Sequence, residues 1–293
     1  MTRLAVKTTP SGAFDMDAAP LQTAGVRLIV RDLPRVAQFY RDVLGLTPIE
    51  ADTGRVLLGN GRAPLVELVA RPDAAPRSPR EAGLFHTAFL LPDRADLGRW
   101  LAHAAATGVR LHGASDHLVS EAVYLADPEG NGIEIYADRN PDRWTDAQGN
   151  IRMDTVPLDL DSLLRAAEGT TWRGFPGGGR VGHVHLQVGD IAAAQDFYAG
   201  ILGFDIASRL PSALFCGAGG YHHQLAGNVW NSRGAGMRPA DAAGLDAVNL
   251  AVIDAATLAA IADRAGTAID TSGVEPTLTL TDPWGTLLHL RVA

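Results

Sequence analysis

The chain contains a copy of part of itself. The stretch "VRLIVRDLPRVAQFYRDVLGLTPI" beginning at Val26 returns as "VHLQVGDIAAAQDFYAGILGFDIA" beginning at Val184, with the Val, Leu, Val, Asp, Phe-Tyr and Leu-Gly positions in register. Self-similarity at such a spacing means that two homologous halves have to build the same unit. Each copy reads as a strand followed by a helix: alternating apolar residues, an aspartate suited to an N-cap (Asp32, Asp190), a helix carrying Phe-Tyr, and a glycine (Gly45, Gly203) where a helix would end. Short strands follow, "GRVLLGN" and "PLVELVA" in the first half, "SALFCGAGG" and "YHHQLAG" in the second, so the unit is βαβββ.

A second such unit closes each half. "GLFHTAFLLPD", the helix "ADLGRWLAHAAATG" and strands ending in "LADPEGNGIEIYAD" close the first; "GLDAVNLAVID", the helix "AATLAAIADRAG" and "LTDPWGTLLHLRV" close the second. The expected class is therefore α+β with four βαβββ modules, at roughly 22–70, 83–138, 180–230 and 244–293. The chain divides into an N-terminal tail (1–21), a first domain of modules one and two (22–140), a linker (141–179) and a second domain of modules three and four (180–293). The linker is rich in Asp, Asn, Gly and Pro, holds one short helical candidate, "DLDSLLRAAEG", and ends in "FPGGGR", which reads as a flexible joint. Its length exceeds what a tight connection requires, so packing against one half is expected.

Composition narrows the partners. With 293 residues, 46% of them apolar and 20% charged, the chain is of soluble globular type and long enough for two domains. A formal charge of -8 and no cluster of Lys and Arg disfavour nucleic acid and an anionic membrane surface as partners, leaving small ligands. Cys216 is the sole cysteine, so no intrachain disulfide forms. The opening "MTRLAVKTTPSGAFDMDAAP" lacks the apolar core of a signal peptide, and no apolar run approaches the roughly 20 residues of a membrane span; the expected location is cytoplasmic.

One carboxylate stands out. Directly after the turn Asp-Pro-Glu-Gly-Asn-Gly, the run Ile133-Glu134-Ile135-Tyr136 alternates, placing Glu134 on the face opposite the two isoleucines, where it meets either solvent or a compensating charge. Histidines recur at strand positions elsewhere: His86 in "GLFHTAFLLPD", His183 and His185 in "GHVHLQV", and His222 and His223 in "GYHHQLAG". Of an adjacent strand pair such as His222 and His223, only one faces inward.

Modules with "DxxxxxxFYxxxLG" helices and "DPxGNxIE" closing turns resemble the vicinal oxygen chelate superfamily, which includes glyoxalase I, bleomycin-resistance proteins and type I extradiol dioxygenases, and the likeness runs from about residue 22 onward. More narrowly, "GLFHTAFLLPDR", "DHLVSEAVYLADPEGNGIEIYADR" and "GGYHHQLAGNVW" are similar to two-domain bacterial catechol 2,3-dioxygenases. The resemblance implies two cups of curved mixed sheet. It also implies a metal held by a first-strand His of one module together with a first-strand His and a last-strand Glu of its partner. Two imidazoles and one carboxylate suit Fe(II), with Mn(II) as the alternative, and leave positions for catecholate oxygens and O2.

On that pattern His86 and Glu134 match in module two, whereas the first-strand position of module one is Gly25. In the second half His183, seven residues before Asp190, matches, with His185 open as its substitute; the positions equivalent to His86 and Glu134 are Ala247 and His289. The complete ligand set therefore requires module two to pair with module three, leaving modules one and four to form a second cup. A homodimer exchanging modules between subunits would satisfy the same residues. The resemblance further implies catalytic roles for His117 and Tyr124, with His112 as a weaker substitute for His117, and substrate contacts from Tyr221, His222 and His223; Phe85, Phe89 and Trp230 are candidate aromatic walls. Glu67, which matches a glyoxalase I position, falls outside the middle modules. The implied activity is extradiol cleavage of a catechol or hydroquinone with O2; a metal-dependent isomerase or lyase and a non-catalytic binding protein are the competing readings.

Overall fold

In the computed structural model residues 7–9, 12–167 and 169–293 are described. Module one comprises β1 (Leu21–Val30), α1 (Leu33–Asp42), β2 (Thr47–Ala51), β3 (Arg55–Gly59) and β4 (Pro64–Ala70). Module two comprises β5 (Gly83–Leu90), α2 (Arg94–Ala106), β6 (Gly113–Asp116), β7 (Ser120–Ala126) and β8 (Gly132–Asp138). The linker supplies β9 (Val156–Pro157) and α3 (Leu160–Ala166). Module three runs through β10 (Arg180–Gln187), α4 (Ile191–Gln195), β11 (Asp205–Leu210), β12 (Ala213–Gly217) and β13 (Leu225–Asn228). Module four has β14 (Gly244–Val252), α5 (Ala255–Ala265), β15 (Thr277–Thr281) and β16 (Leu287–Val292).

Local chemistry accounts for the repeated unit. Asp32, Asp93, Asp190 and Asp254 each cap a helix by accepting a backbone N–H three residues on. The closing turns are pinned in the same way: Asp127 accepts the N–H groups of Glu129 and Asn131 and the Asn131 amide, while Asp282 accepts those of Trp284 and Thr286. Each turn delivers its following strand, β8 or β16, in a fixed register.

Two features of the repeat depart from expectation. The helix after Asp190 is α-helical only over Ile191–Gln195 and continues as a π-helical turn, Asp196–Ile201, which carries Phe197 and Tyr198. Module four is βαββ: between Gly266 and β15 the segment holds Gly273 and Pro276, Asp270 turns on its own side chain to accept Ser272 N–H, and only an isolated bridge from Asp270 to Thr277 forms.

The sheets cross the sequence halves. A seven-stranded sheet, β15-β16-β14-β1-β4-β3-β2, joins modules one and four, and a nine-stranded sheet, β11-β12-β13-β10-β5-β8-β7-β6-β9, joins modules two and three. Both junctions are antiparallel, β1 on β14 and β10 on β5. Pairing within each module mixes parallel and antiparallel ladders. The ranges 22–140 and 180–293 thus describe the sequence repeat, and helix contacts bind each of them: Trp100 of α2 donates to Val43 O at the end of α1, and Arg264 of α5 donates to Ile201 O and Leu202 O. The β10–β5 pairing joins modules two and three of one chain.

The linker is packed. Helix α3 approaches α2 so closely that a Cβ on Gly98 would stand 2.3 Å from Leu163 O. The "FPGGGR" stretch, expected as a flexible joint, is held instead: Phe175 is buried and donates its N–H to Gly45 O at 3.0 Å, and Asn60 donates to Gly179 O at 2.7 Å. Within the N-terminal tail, whose residues 1–6, 10 and 11 lie outside the described set, Phe14 and Met16 pack with Trp144 and Tyr221. Among the described residues no helix is long and apolar enough to cross a membrane.

Where β1 passes β4, Gly25 is a packing requirement: a Cβ there would lie 2.6 Å from the Leu65 carbonyl oxygen. Gly25→Ala is expected to destabilise the fold by about 1–3 kcal/mol through overpacking, read by urea denaturation. A change below about 0.5 kcal/mol would contradict this packing account.

Candidate metal and substrate site

The site is a row of side chains across the nine-stranded sheet. On adjacent strands, His183 of β10 lies opposite Ala88 of β5, Ala88 opposite Glu134 of β8, and Glu134 opposite Tyr124 of β7. Residues in register across a sheet share a face. With only a methyl group at Ala88 between them, the long side chains of His183 and Glu134 close over it, and His183 Nε2 comes within 3.4 Å of Glu134 Oε2. His86, two residues before Ala88 and therefore on the same face, brings its Nε2 to 3.0 Å from the same oxygen.

His86, Glu134 and His183 offer donor atoms all within 4.8 Å of one another, and they are the group among the described residues that could hold a metal ion. They are 7%, 3% and 1% exposed. Burial opposes the charge on Glu134, but the imidazoles of His183 and His86 facing it outweigh that cost and hold its carboxyl well below the usual range. Burial also draws the His183 imidazole down from 6.5 to about 4, against the pull of Glu134, so it is neutral at pH 7 and keeps a lone pair. Nε2 of His86 and Nδ1 of His183 are buried without a hydrogen-bond partner in the protein. Unpaired imidazole nitrogens beside a buried carboxylate are costly as they stand. The donor set fits a divalent cation, which would take the imidazole lone pairs that face Glu134 and compensate its charge.

A cavity of about 470 Å³ opens over this row, walled by Phe85, Phe215 and Trp230. His117 and Tyr124 meet on one side of it, with His117 Nε2 2.5 Å from Tyr124 OH. The other ring nitrogen, Nδ1, lies 2.9 Å from the carbonyl oxygen of Asp154, which can only accept. Nδ1 therefore carries a proton, and in the neutral ring Nε2 is the acceptor for the Tyr124 hydroxyl. Burial, then the nearby Glu134, pushes the Tyr124 phenol well above its ordinary value. His117 is fixed by a strained turn: Leu118 has φ of 67°, and Asp116, itself paired to Arg139, accepts its N–H.

On the other side, His222 and His223 lie in the turn before β13, and not on the strand itself. His223 lines the cavity; His222 and Tyr221 sit behind it, fully buried, and Phe89 belongs to the core. The second row is a chain of polar contacts. Asp138 Oδ1 lies 2.8 Å from His222 Nε2 and accepts from Tyr221 OH at 3.3 Å, and His222 Nδ1 is 2.9 Å from His223 Nδ1. With His222 Nε2–H donating to the carboxylate, His222 Nδ1 accepts a hydrogen bond from His223 Nδ1–H, leaving His223 Nε2 as a free acceptor on a ring that lines the cavity. Burial, reinforced by the neighbouring histidines, lowers His223 well below its ordinary value.

Asp138, at the end of β8, and the linker residues Met153, Asp154 and Thr155 also belong to this site, beyond the residues that the motifs mark. The alternation of Ile133-Glu134-Ile135-Tyr136 runs on to Asp138, which was the available signal; the linker bears no comparable pattern. His185 lines the cavity but is not one of the clustered donors, and His112 is absent from the lining among the described residues.

The seven-stranded sheet has a cavity of about 390 Å³ of different character. Gly25 and Ala247 offer no donor at the corresponding positions, and His289 is 3.0 Å from Thr279 Oγ1. Glu67 is clamped between Arg27 at 2.8 Å and Arg55 at 2.5 Å. This carboxylate is structural.

His183 links stability to pH. The unfolded chain takes up a proton near 6.5, the folded chain only near 4, so protons favour the unfolded state across that interval. The contribution is complete above 6.5 and is lost as pH falls toward 4; burial shifts His185 and His223 the same way. The metal-free protein is therefore expected to lose on the order of 3 kcal/mol between pH 7 and pH 4.5 in urea denaturation. A flat profile would contradict the burial of neutral imidazoles.

Residues 22–135 and 180–290 match the Glyoxalase/Bleomycin resistance protein/Dioxygenase superfamily. The chain is 42% identical over 225 residues to a catechol-2,3-dioxygenase of Bacillus subtilis, covering 75% of this chain and 79% of that protein. It is 30% identical over 124 residues to biphenyl-2,3-diol 1,2-dioxygenase 3 of Rhodococcus globerulus, covering 41% and 65%. Among solved structures, a putative dioxygenase from Bacillus subtilis superposes with a TM-score of 0.59 at 14% identity, covering 92% and 86% of the two chains. A mutant of glyoxalase I from Zea mays gives 0.57, also at 14%, covering 94% of each. At such identities the structural matches speak for the fold. Two matched segments, the repeated modules and the extended relative together make this chain a member of the glyoxalase/bleomycin resistance/dioxygenase superfamily.

Proposed function

We propose that this protein is an extradiol ring-cleaving dioxygenase that opens a catechol-type aromatic with O2, using a divalent metal held by His86, Glu134 and His183. The observation that carries the reading is the row itself: two imidazoles and one carboxylate converge at the floor of an aromatic cavity, with an acceptor or proton-exchanging group on each side. The similarity to a Bacillus subtilis catechol-2,3-dioxygenase supports it. We assign the ion as Fe(II), with Mn(II) as the alternative, because nitrogen and oxygen donors in this ratio suit both. Bound there, such an ion supplies Lewis acidity toward the diol oxygens and a route for electron density to O2.

The chain's own residues then divide the proton work. His223 Nε2 accepts a proton from a substrate hydroxyl, with Asp138 and His222 holding the ring in the tautomer that leaves this nitrogen bare. Across the cavity, Tyr124 passes its hydroxyl proton to His117 Nε2 as its oxygen takes one from the substrate, and the reverse movement returns a proton to the product. Asp154 O fixes His117 for both directions. Phe85, Phe215 and Trp230 sandwich the ring and keep water from it. In the overall reaction both atoms of O2 enter the substrate as the carbon–carbon bond beside the diol breaks, so catechol would give a yellow ring-fission product.

Two experiments test the reading. Anaerobically loaded wild-type protein is expected to hold one Fe(II) per chain and to consume O2 with catechol; His183→Ala should lose both by at least about 100-fold. Metal retained undiminished in His183→Ala would contradict the ligand assignment, and metal-loaded wild type that binds catechol without O2 uptake would favour a non-catalytic binder. In Asp138→Asn, metal content should persist while kcat falls by about 10- to 100-fold, with the acidic limb of the pH–rate profile displaced. An unchanged kcat would remove Asp138 and His222 from the proton path.

A further inference from the structure

We propose that His185 is a specificity residue whose Nδ1–H selects aromatic substrates bearing an uncharged hydrogen-bond acceptor on the ring. This rests on the dioxygenase reading for the catechol, and on independent geometry for the substituent.

His185 stands directly opposite His86 in the β10–β5 ladder, two residues from His183 and on the same face. Its ring lies 5.0 Å from that of His86, so it is one imidazole removed from the donor cluster, of which it is not a member. It is 3% exposed and lines the same cavity.

Its proton can be placed from its neighbour. Asn228 Oδ1 accepts the Trp230 backbone N–H at 3.1 Å, which fixes the orientation of the amide. The amide nitrogen, Nδ2, therefore faces His185 Nε2, at 3.0 Å. An amide NH2 only donates, so His185 Nε2 has to be the acceptor, and the proton of the ring sits on Nδ1. Nδ1 has no hydrogen-bond partner among the described residues. Asn228 thus turns His185 into a fixed donor with nothing among the described residues to receive it.

The surroundings define what would receive it. Phe85, Phe215 and Trp230 surround the ring at centroid distances of 5.1, 5.7 and 5.4 Å. Among the described residues no lysine or arginine lines the cavity, while Glu134 and Asp154 do. A carboxylate substituent would enter without a countercharge and beside two acidic residues, which is unfavourable. A carbonyl or ether oxygen would satisfy the donor without that cost. A purely aliphatic substituent would leave the donor unpaired against apolar groups, at a loss of about tenfold in affinity.

The probes are 4-acetylcatechol and 4-isopropylcatechol, nearly equal in shape and differing in the acceptor. Their affinities are measured by calorimetry without O2 on the metal-loaded protein, and their kcat/KM values with O2. The acetyl group also makes the diol more acidic, which every variant feels alike, so the readout is the change in the acetyl-to-isopropyl ratio between proteins. The ratio is expected to fall about tenfold in His185→Leu. It should largely survive in His185→Gln, whose side-chain oxygen can accept from Asn228 while its amide donates to the cavity. An equal ratio in wild type and His185→Leu, or a loss in His185→Gln as deep as in His185→Leu, would overturn the assignment. A ratio in binding that responds to these variants without turnover of either probe would overturn the dioxygenase reading and leave the His185 assignment standing.

Discussion

Everything at the site depends on one antiparallel ladder, β10 on β5, formed between modules that belong to different halves of the sequence. It sets His183 opposite Ala88, and Ala88 is already in parallel register with Glu134. A slip of one residue would turn His183 to the other face of the sheet, since side chains alternate with a period of two. The register is held from outside the site, by Asp127 locking the turn before β8 and by the N-caps that start each helix at a fixed point. In that register three donors converge to within 4.8 Å.

The same architecture explains why two cups of common ancestry differ. In the nine-stranded sheet the crossing row is His183, Ala88, Glu134 and Tyr124, whose buried polar members a bound cation would compensate. In the seven-stranded sheet Gly25 is pressed against Leu65, Ala247 carries no donor, and Glu67 is neutralised by two arginines. Charge is compensated there by protein cations, and of the corresponding positions only His289 carries a donor, so no three-ligand set forms among the described residues. Duplication supplied two scaffolds, of which, in our proposal, the middle modules carry the chemistry.

Much of this was legible in the sequence, for physical reasons that can be named. Aspartate caps, Phe-Tyr helices and Asp-Pro turns are local devices that repeat visibly, and the absence of a donor at Gly25 and Ala247 already required the middle modules to pair. What was not legible depends on long-range packing. The missing strand of module four follows from a turn around Asp270 that competes with pairing. Tyr221 and His222 read as cavity residues, yet the turn before β13 puts them behind His223, where Asp138 and Tyr136 satisfy them. Glycine-rich "FPGGGR" read as mobile, but Gly45 and Asn60 bind it in place. The tautomer of His185 is set by Asn228, a residue 43 positions away, and no local pattern announces it.

The most direct test of the central claim is anomalous diffraction from crystals of the Fe(II)- or Mn(II)-loaded protein. The account predicts one strong metal peak per chain, ligated by His86 and Glu134 of module two and His183 of module three of the same polypeptide. A peak whose ligands come from two different chains, or one lying in the seven-stranded cup near Glu67 and His289, would contradict it.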